Sequence, residues 1–218
     1  NVKKTIITST SEVYGTAQTI PILESHPLNA QSPYAASKIG GDQLALSFYR
    51  SYKLPVSIIR PFNTFGPRQS TRAIIPTIIT QILNKNNNVK LGNLSPTRDF
   101  TFVEDTADSF VQALKSNKIN GETINIGNNF EISIKDIIGI IKNDFGYDFK
   151  VVLDKKRVRE KKSEVFRLIT SNEKAKKLIH WKPKYEGIEG FKLGLKKTIQ
   201  WFKDPKNLKD YNSNSYKI

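Results

Sequence analysis

The strongest constraint on this chain is a recurring pair: a short apolar run rich in β-branched residues, followed by a helical pattern. "KKTIITS" at residues 3–9, "LPVSIIRPF" at 54–62 and "ETINIG" at 122–127 read as strands. The second is continuously apolar at its centre, the pattern of a strand covered on both faces, as in a parallel sheet. Between the first two lies "SPYAASKIGGDQLALSFYRSY", where Ser32 is a good N-cap and Pro33 suits the first helical position. That helix is predicted to reach about Tyr52, with Gly40 and Gly41 weakening it locally. "AIIPTIITQILN", residues 104–116, 172–179 and 187–203 also read as helices, with Glu104 and Asp105 suiting the positive start of theirs. Ser133 opens another, with apolar residues at 134, 137, 138, 141 and 145 and a stop before Gly146. Short strands are predicted near 88–91, 99–103 and in "FKVVL"; the tail after Pro205 reads as polar and loose. Strands alternating with helices predict an α/β layered fold with a parallel sheet.

Composition narrows the function classes. The 218 residues suffice for one sizeable domain or parts of two. No apolar stretch approaches the roughly 20 residues of a membrane span, and no N-terminal segment has a signal-peptide layout; a cytoplasmic protein with no membrane partner is expected. The chain has no cysteine, so no disulfide or thiolate metal site forms, and two distant histidines argue against zinc. The net charge of +15 raises the question of nucleic acid. The lysines, however, are scattered and mixed with asparagine, as in "NKNNNVK" and "NEKAKK", which reads as solvated surface with no nucleic-acid partner. The chain has no methionine and opens on Asn1 directly before a strand, the pattern expected of a piece whose beginning lies upstream.

Three constellations could carry chemistry. In "YAASK", Tyr34 and Lys38 are four residues apart and share a helical face. An ammonium near a phenol favours the phenolate, a usable general base for a sugar hydroxyl, and a lysine can also bond a ribose. The same spacing is common on solvated helices. In "TSTSEVYG", Thr10 and Glu12 follow directly on the first strand, at the edge where ligands bind in open α/β sheets; an ordinary strand-to-loop transition looks the same. In "RPFNTFGPR", Asn63 again follows a strand and offers an amide to a phosphate or sugar oxygen. Arg98, Arg157, Arg159 and Arg167 are candidates for a diphosphate clamp, although any one of them also fits a surface role. No glycine-rich strand-to-helix turn occurs, so the usual phosphate cradle of a dinucleotide fold is absent.

Taken in order, "STSEVYG", "SPYAASK", "RPFNTFGPR", "TRDFTFVEDTA", "TINIGN" and "KLIHWKP" resemble the extended short-chain dehydrogenase/reductase family that acts on nucleotide sugars, over roughly residues 1 to 203. The resemblance implies a Rossmann domain holding NAD and a smaller domain holding the nucleotide sugar. Residues 1–66 and 99–127 would form part of the Rossmann domain, its glycine motif lying upstream of Asn1. Residues 67–98 and 128–204 would form the sugar domain, and 205–218 a loose tail. The residues 1–218 alone are then expected to bind NAD poorly and to be inactive. By the resemblance Thr10, Tyr34 and Lys38 match a catalytic Ser/Thr–Tyr–Lys set. Tyr34 would deprotonate the sugar 4-hydroxyl, Thr10 would bond the same oxygen, and Lys38 would hold the nicotinamide ribose. Cofactor contacts are implied at Ser9, Tyr34, Lys38 and Pro61, and substrate contacts at Asn63, Ile75, Arg98 and Arg159. Family members are commonly homodimers through a helical face that includes the Tyr34–Lys38 helix.

The resemblance also suggests the second half of the reaction. Sugar 4,6-dehydratases of this kind usually read Thr-Asp-Glu where this chain reads Thr10-Ser11-Glu12. Glu12 is kept as the base for the C5 proton, and Ser11 replaces the acid. "SPYAASK", "QSTRAIIPTIITQIL" and "KKSEVFRLITSNEKAKKLIHWKPKY" look closer to UDP-N-acetylglucosamine 4,6-dehydratases of the configuration-retaining type, which feed surface-sugar pathways. Glu160 departs from the proline expected after that arginine. UDP-glucuronate decarboxylase and nucleotide-sugar 4-epimerase are the alternatives within the family. A basic, non-catalytic binding module is the alternative outside it.

Overall fold

The computed structural model describes residues 2–85, 87–158, 160, 162–209 and 211. Its first layer is a parallel sheet of β1 (Thr5–Thr8), β2 (Val56–Pro61) and β6 (Thr123–Ile126), in the order β1-β2-β6. Thr5 pairs with Val56 and Thr8 with Ile59; Ile58 pairs with Thr123 and Pro61 with Ile126. β2 is central, and its alternate side chains serve two different cores. Ile58 packs with Ala45 of helix α1 (Pro33–Tyr52). Ile59 points to the other face, among Ala113 of α3 (Val103–Lys115), Ala175 and Ile179 of α5 (Glu173–Ile179), and Trp181. Cover on both faces is why this strand reads as continuously apolar. Trp181 is buried and donates its indole N–H to the Asp105 carbonyl at 3.1 Å, while the Asp105 carboxylate accepts the Lys184 and Tyr185 backbone N–H groups, each at 2.9 Å. These bonds tie "HWKPK" to the start of α3.

The remaining elements surround a larger aromatic and aliphatic core. β3 (Asn63–Phe65) pairs in parallel with β5 (Thr97–Phe102), and β5 pairs antiparallel with β7 (Glu131–Ser133). β4 (Asn88–Leu91) pairs in parallel with β8 (Lys150–Leu153). Around them pack α2 (Ile74–Leu83), α4 (Ile134–Asn143) and α6 (Gly187–Lys203). Ser133 caps α4 as expected, and Ile134, Ile137, Ile138 and Ile141 are its buried stripe.

The parallel α/β expectation thus holds for the first layer, and the long helices fall where the sequence places them. Three features differ. β3 and β7 are only three residues long, too short for a period, and exist through pairing with β5. β5 and β7 run antiparallel, a direction no local pattern encodes. The stretch after Pro205 is not all loose: Pro205–Leu208 forms a short helix, α7, capped by Asp204, and Tyr211 packs edge-on against the rings of Trp201 and Phe202. No described helix is long and apolar enough to cross a membrane.

Candidate active site

The C-terminal ends of β1, β2 and β6 open on one edge of the sheet, and the residues singled out in the sequence follow two of them directly. Beyond β1 the chain forms a single turn of 3-10 helix, Ser11–Tyr14. Thr10 caps it, its hydroxyl accepting the Glu12 N–H at 3.2 Å, and Gly15 ends it at a φ of 63°. A Cβ on Gly15 would lie 2.5 Å from the Asn29 carbonyl oxygen, so this glycine is required both by conformation and by space. The turn leaves Glu12 half-buried at the sheet edge and packs Ser11, Val13 and Tyr14 inward. Ser11 is 2% exposed.

Helix α1 supplies the second wall. Ser32 caps it through the Ala35 N–H at 3.1 Å, with Pro33 in the first turn. Tyr34 and Lys38 lie on one face, the Lys38 ammonium 5.9 Å from the Tyr34 ring centre. The Lys38 ammonium donates to the Thr8 carbonyl at 2.9 Å. Tyr34 is 53% exposed, and its hydroxyl has no protein partner among the described residues, which leaves it available to a ligand.

Beneath these groups runs a buried polar chain not anticipated from the sequence. The Asp42 carboxylate, one helical turn past Lys38, accepts the Ser9 hydroxyl at 2.9 Å, and from Arg60 of β2 it accepts Nε at 3.0 Å and Nη2 at 2.8 Å, all at Oδ2. Arg60 also donates Nη1 to the Tyr14 hydroxyl at 2.9 Å, and Tyr14 donates to Asn125 Oδ1 of β6 at 2.7 Å. Burial raises the Tyr14 pKa above its ordinary value, against the pull of Arg60, so the phenol stays protonated and can donate. Ser9, Asp42, Arg60, Tyr14 and Asn125 are all buried. The overlooked signal is a lone arginine inside an apolar strand, which requires a buried acceptor. An aspartate four residues past Lys38 supplies it.

The other predicted site residues are spread over several environments. Asn63 begins β3 at the sheet edge, and its side-chain oxygen is buried without a hydrogen bond among the described residues, a free acceptor at the site. Pro61 ends β2 beside it, half-buried. Arg98 is buried, donates Nη1 to the Thr97 carbonyl at 2.9 Å, and sits 3.6 Å from the Glu164 carboxylate. Ile75 is fully buried in the large core, and the Ser9 hydroxyl is held by Asp42. Arg157 pairs with Asp154 at 3.2 Å, and Arg167 chelates the Glu131 carboxylate, which is itself held below the ordinary carboxylate range by that contact. Arg159 lies outside the described residues.

The segment 163–171 lies against the loop that follows the 3-10 turn. Phe166 N–H bonds the Thr16 hydroxyl at 3.1 Å, Gln31 donates to the Lys162 and Glu164 carbonyls at 3.1 and 3.2 Å, and Ile22 bridges to Thr170. Among the described residues, no group of three or more His, Asp or Glu side chains is placed to hold a metal ion. Tyr34 and Lys38 are the polar side chains at this edge that could meet the nicotinamide–ribose part of a dinucleotide, and residues 1–218 contain no glycine-rich turn for its pyrophosphate.

Comparison with known proteins identifies the family. The family model described as GDP-mannose 4,6 dehydratase matches residues 1–193. The dTDP-D-glucose 4,6-dehydratase of Homo sapiens is 33% identical over 208 residues, covering 93% of this chain and 57% of that protein. The crystal structure of dTDP-glucose 4,6-dehydratase from Bacillus anthracis, in complex with NAD, is 32% identical with a TM-score of 0.81, over 93% of this chain and 62% of that one. UDP-N-acetylglucosamine 4-epimerase from Methanobrevibacter ruminantium, in complex with UDP-N-acetylmuramic acid, is 30% identical with a TM-score of 0.79, over 93% and 63%. The chain therefore spans about six tenths of the length of these relatives. On the matched family model, the similar relatives and the shared fold, this chain belongs to the GDP-mannose 4,6 dehydratase family of NAD-dependent nucleotide-sugar dehydratases and epimerases.

Proposed function

We propose that the protein carrying this chain is an NAD-dependent nucleotide-sugar 4,6-dehydratase whose substrate is a UDP-N-acetylglucosamine-type sugar. The observation that carries the proposal is Glu12 on the turn capped by Thr10, at the sheet edge that also presents Asn63, with Tyr34 and Lys38 on the adjoining helix. Bound NAD would accept the C4 hydride and later return it to C6, and the proton that Tyr34 takes from the 4-hydroxyl balances the one C5 regains on that return. Tyr34 takes the proton of the 4-hydroxyl, with Thr10 bonding the same oxygen, and Lys38 orients the cofactor ribose. The resulting 4-keto group acidifies the C5 proton, which Glu12 removes as the C6 hydroxyl leaves as water. Ser11 faces inward, so Glu12, protonated by that step, is the donor this chain offers to the leaving hydroxyl. Residues 1–66 and 99–127 serve the cofactor side, and 67–98 and 128–204, with Asn63 and Arg98, serve the nucleotide. An amino-sugar substrate draws support from the relative that acts on UDP-N-acetylglucosamine.

Ser11, where a dehydratase usually carries an acid, favours a second reading, 4-epimerisation, and 4-epimerases also stand among the relatives. Incubation with NAD and UDP-N-acetylglucosamine separates the two: a dehydratase yields a product one water lighter, an epimerase a product of unchanged mass.

A further inference from the structure

The Asp42–Arg60 ion pair reaches both ends of the turn that carries Glu12. At one end Asp42 holds Ser9, the residue before Thr10, at 2.9 Å. At the other Arg60 holds Tyr14, the last residue of the turn, at 2.9 Å. Asp42 lies four residues past Lys38 and eight past Tyr34, on the same face of α1. Lys38 and Asp42 therefore hold consecutive residues, Thr8 through its carbonyl and Ser9 through its hydroxyl. One helix face thus grips the strand end, and one arginine joins that grip to the turn. The pair is costly to bury: the side chains of Arg60 and Asp42 are 4% and 1% exposed, and the second Asp42 oxygen has no hydrogen bond among the described residues. Apolar residues of similar volume would usually serve stability as well or better.

We propose that Asp42 and Arg60 are positioning residues, which set Thr10 and Glu12 in register with Tyr34 and Lys38 for hydride transfer and elimination. This rests on the dehydratase reading of the same site. Neither residue touches substrate; they act through Ser9 and Tyr14. The nucleotide contacts proposed at Asn63 and Arg98 lie on other elements, so loss of the pair changes turnover and leaves nucleotide-sugar binding intact.

The test uses the complete protein with NAD and whichever nucleotide sugar the wild type converts. Asp42→Asn, Tyr14→Phe and the apolar double variant Asp42→Leu with Arg60→Met are compared by thermal midpoint, kcat and KM. The double variant removes the ion pair without leaving a buried charge, and its thermal midpoint reports whether the fold is kept. Its kcat is expected to fall by at least about tenfold with KM within about twofold, equivalent to a barrier increase of about 1.4 kcal/mol or more. Tyr14→Phe, which frees the Glu12 end of the turn, is expected to slow elimination more than oxidation, so that reduced cofactor accumulates. A well-folded double variant with wild-type kcat overturns the positioning role while leaving the dehydratase reading in place. A wild type that converts no nucleotide sugar overturns that reading, and this inference with it.

Discussion

The Lys38 ammonium is bonded to the Thr8 carbonyl at 2.9 Å, so the helix that carries Tyr34 is fastened to the strand that delivers Thr10 and Glu12. Lys38→Met is expected to lose both this clasp and the proposed cofactor-ribose contact. Activity falls by about 10²-fold or more and NAD binding weakens, while Lys38→Arg restores part of the first effect alone. Titration of NAD against both variants checks this.

Tyr34→Phe removes the proposed base and keeps the ring. The initial oxidation is expected to slow by about 10²- to 10⁴-fold with little change in nucleotide-sugar affinity. Absorbance of reduced cofactor in a single turnover reports it. A variant that oxidises substrate at the wild-type rate would remove Tyr34 from the mechanism.

Glu12→Gln is expected to spare oxidation and block elimination. Reduced cofactor should then build up and persist, and no product lighter by water should form. Rapid mixing followed by mass analysis distinguishes this from a general loss of activity.

Asp99 gives a pH prediction for stability. It is fully buried, accepts the Asn128 N–H at 2.7 Å and the Thr170 N–H at 3.1 Å, and burial pushes its pKa up from 3.8 to about 7 despite those donors. Between roughly pH 4 and 7 the folded state holds a proton that the unfolded chain has released, so this contribution to stability is present at low pH and lost as pH rises through about 7. Urea midpoints of the wild type measured from about pH 5 to about pH 7.5 should carry this fall, and Asp99→Asn should flatten it. Parallel slopes for the two proteins would contradict the assignment.

Gly139 lies inside α4, and a Cβ there meets nothing within 4 Å. Gly139→Ala is expected to stabilise the fold by about 0.5–1 kcal/mol with no change in turnover. Urea denaturation monitored by circular dichroism measures it.

What the sequence made legible followed from local rules. The caps Ser32 and Ser133, the stripe of isoleucines in α4 and the buried β2 each declare themselves through spacing or a single residue type. The placement of Tyr34 and Lys38 on one face was legible because helical periodicity brings i and i+4 together. The placement of Thr10 and Glu12 beyond β1 was legible from the apolar run that precedes them. The pairing of Arg60 with Asp42, by contrast, joins residues on two elements, and only the packing of α1 onto β2 reveals it. The same holds for the antiparallel β5–β7 pair, which joins strands distant in sequence, and for Tyr211 folding back on Trp201, which no helical or strand period encodes. Ser9 and Ile75, for which the resemblance to nucleotide-sugar enzymes implies ligand contacts, lie in the buried polar chain and in the apolar core, and neither placement was legible from local pattern.

The central claim is elimination of water from the sugar through Glu12. It is tested most directly by incubating the complete protein with NAD and UDP-N-acetylglucosamine and weighing the product. The account predicts a 4-keto-6-deoxy sugar nucleotide, one water lighter than the substrate. A product of unchanged mass, the C4 epimer, would contradict it.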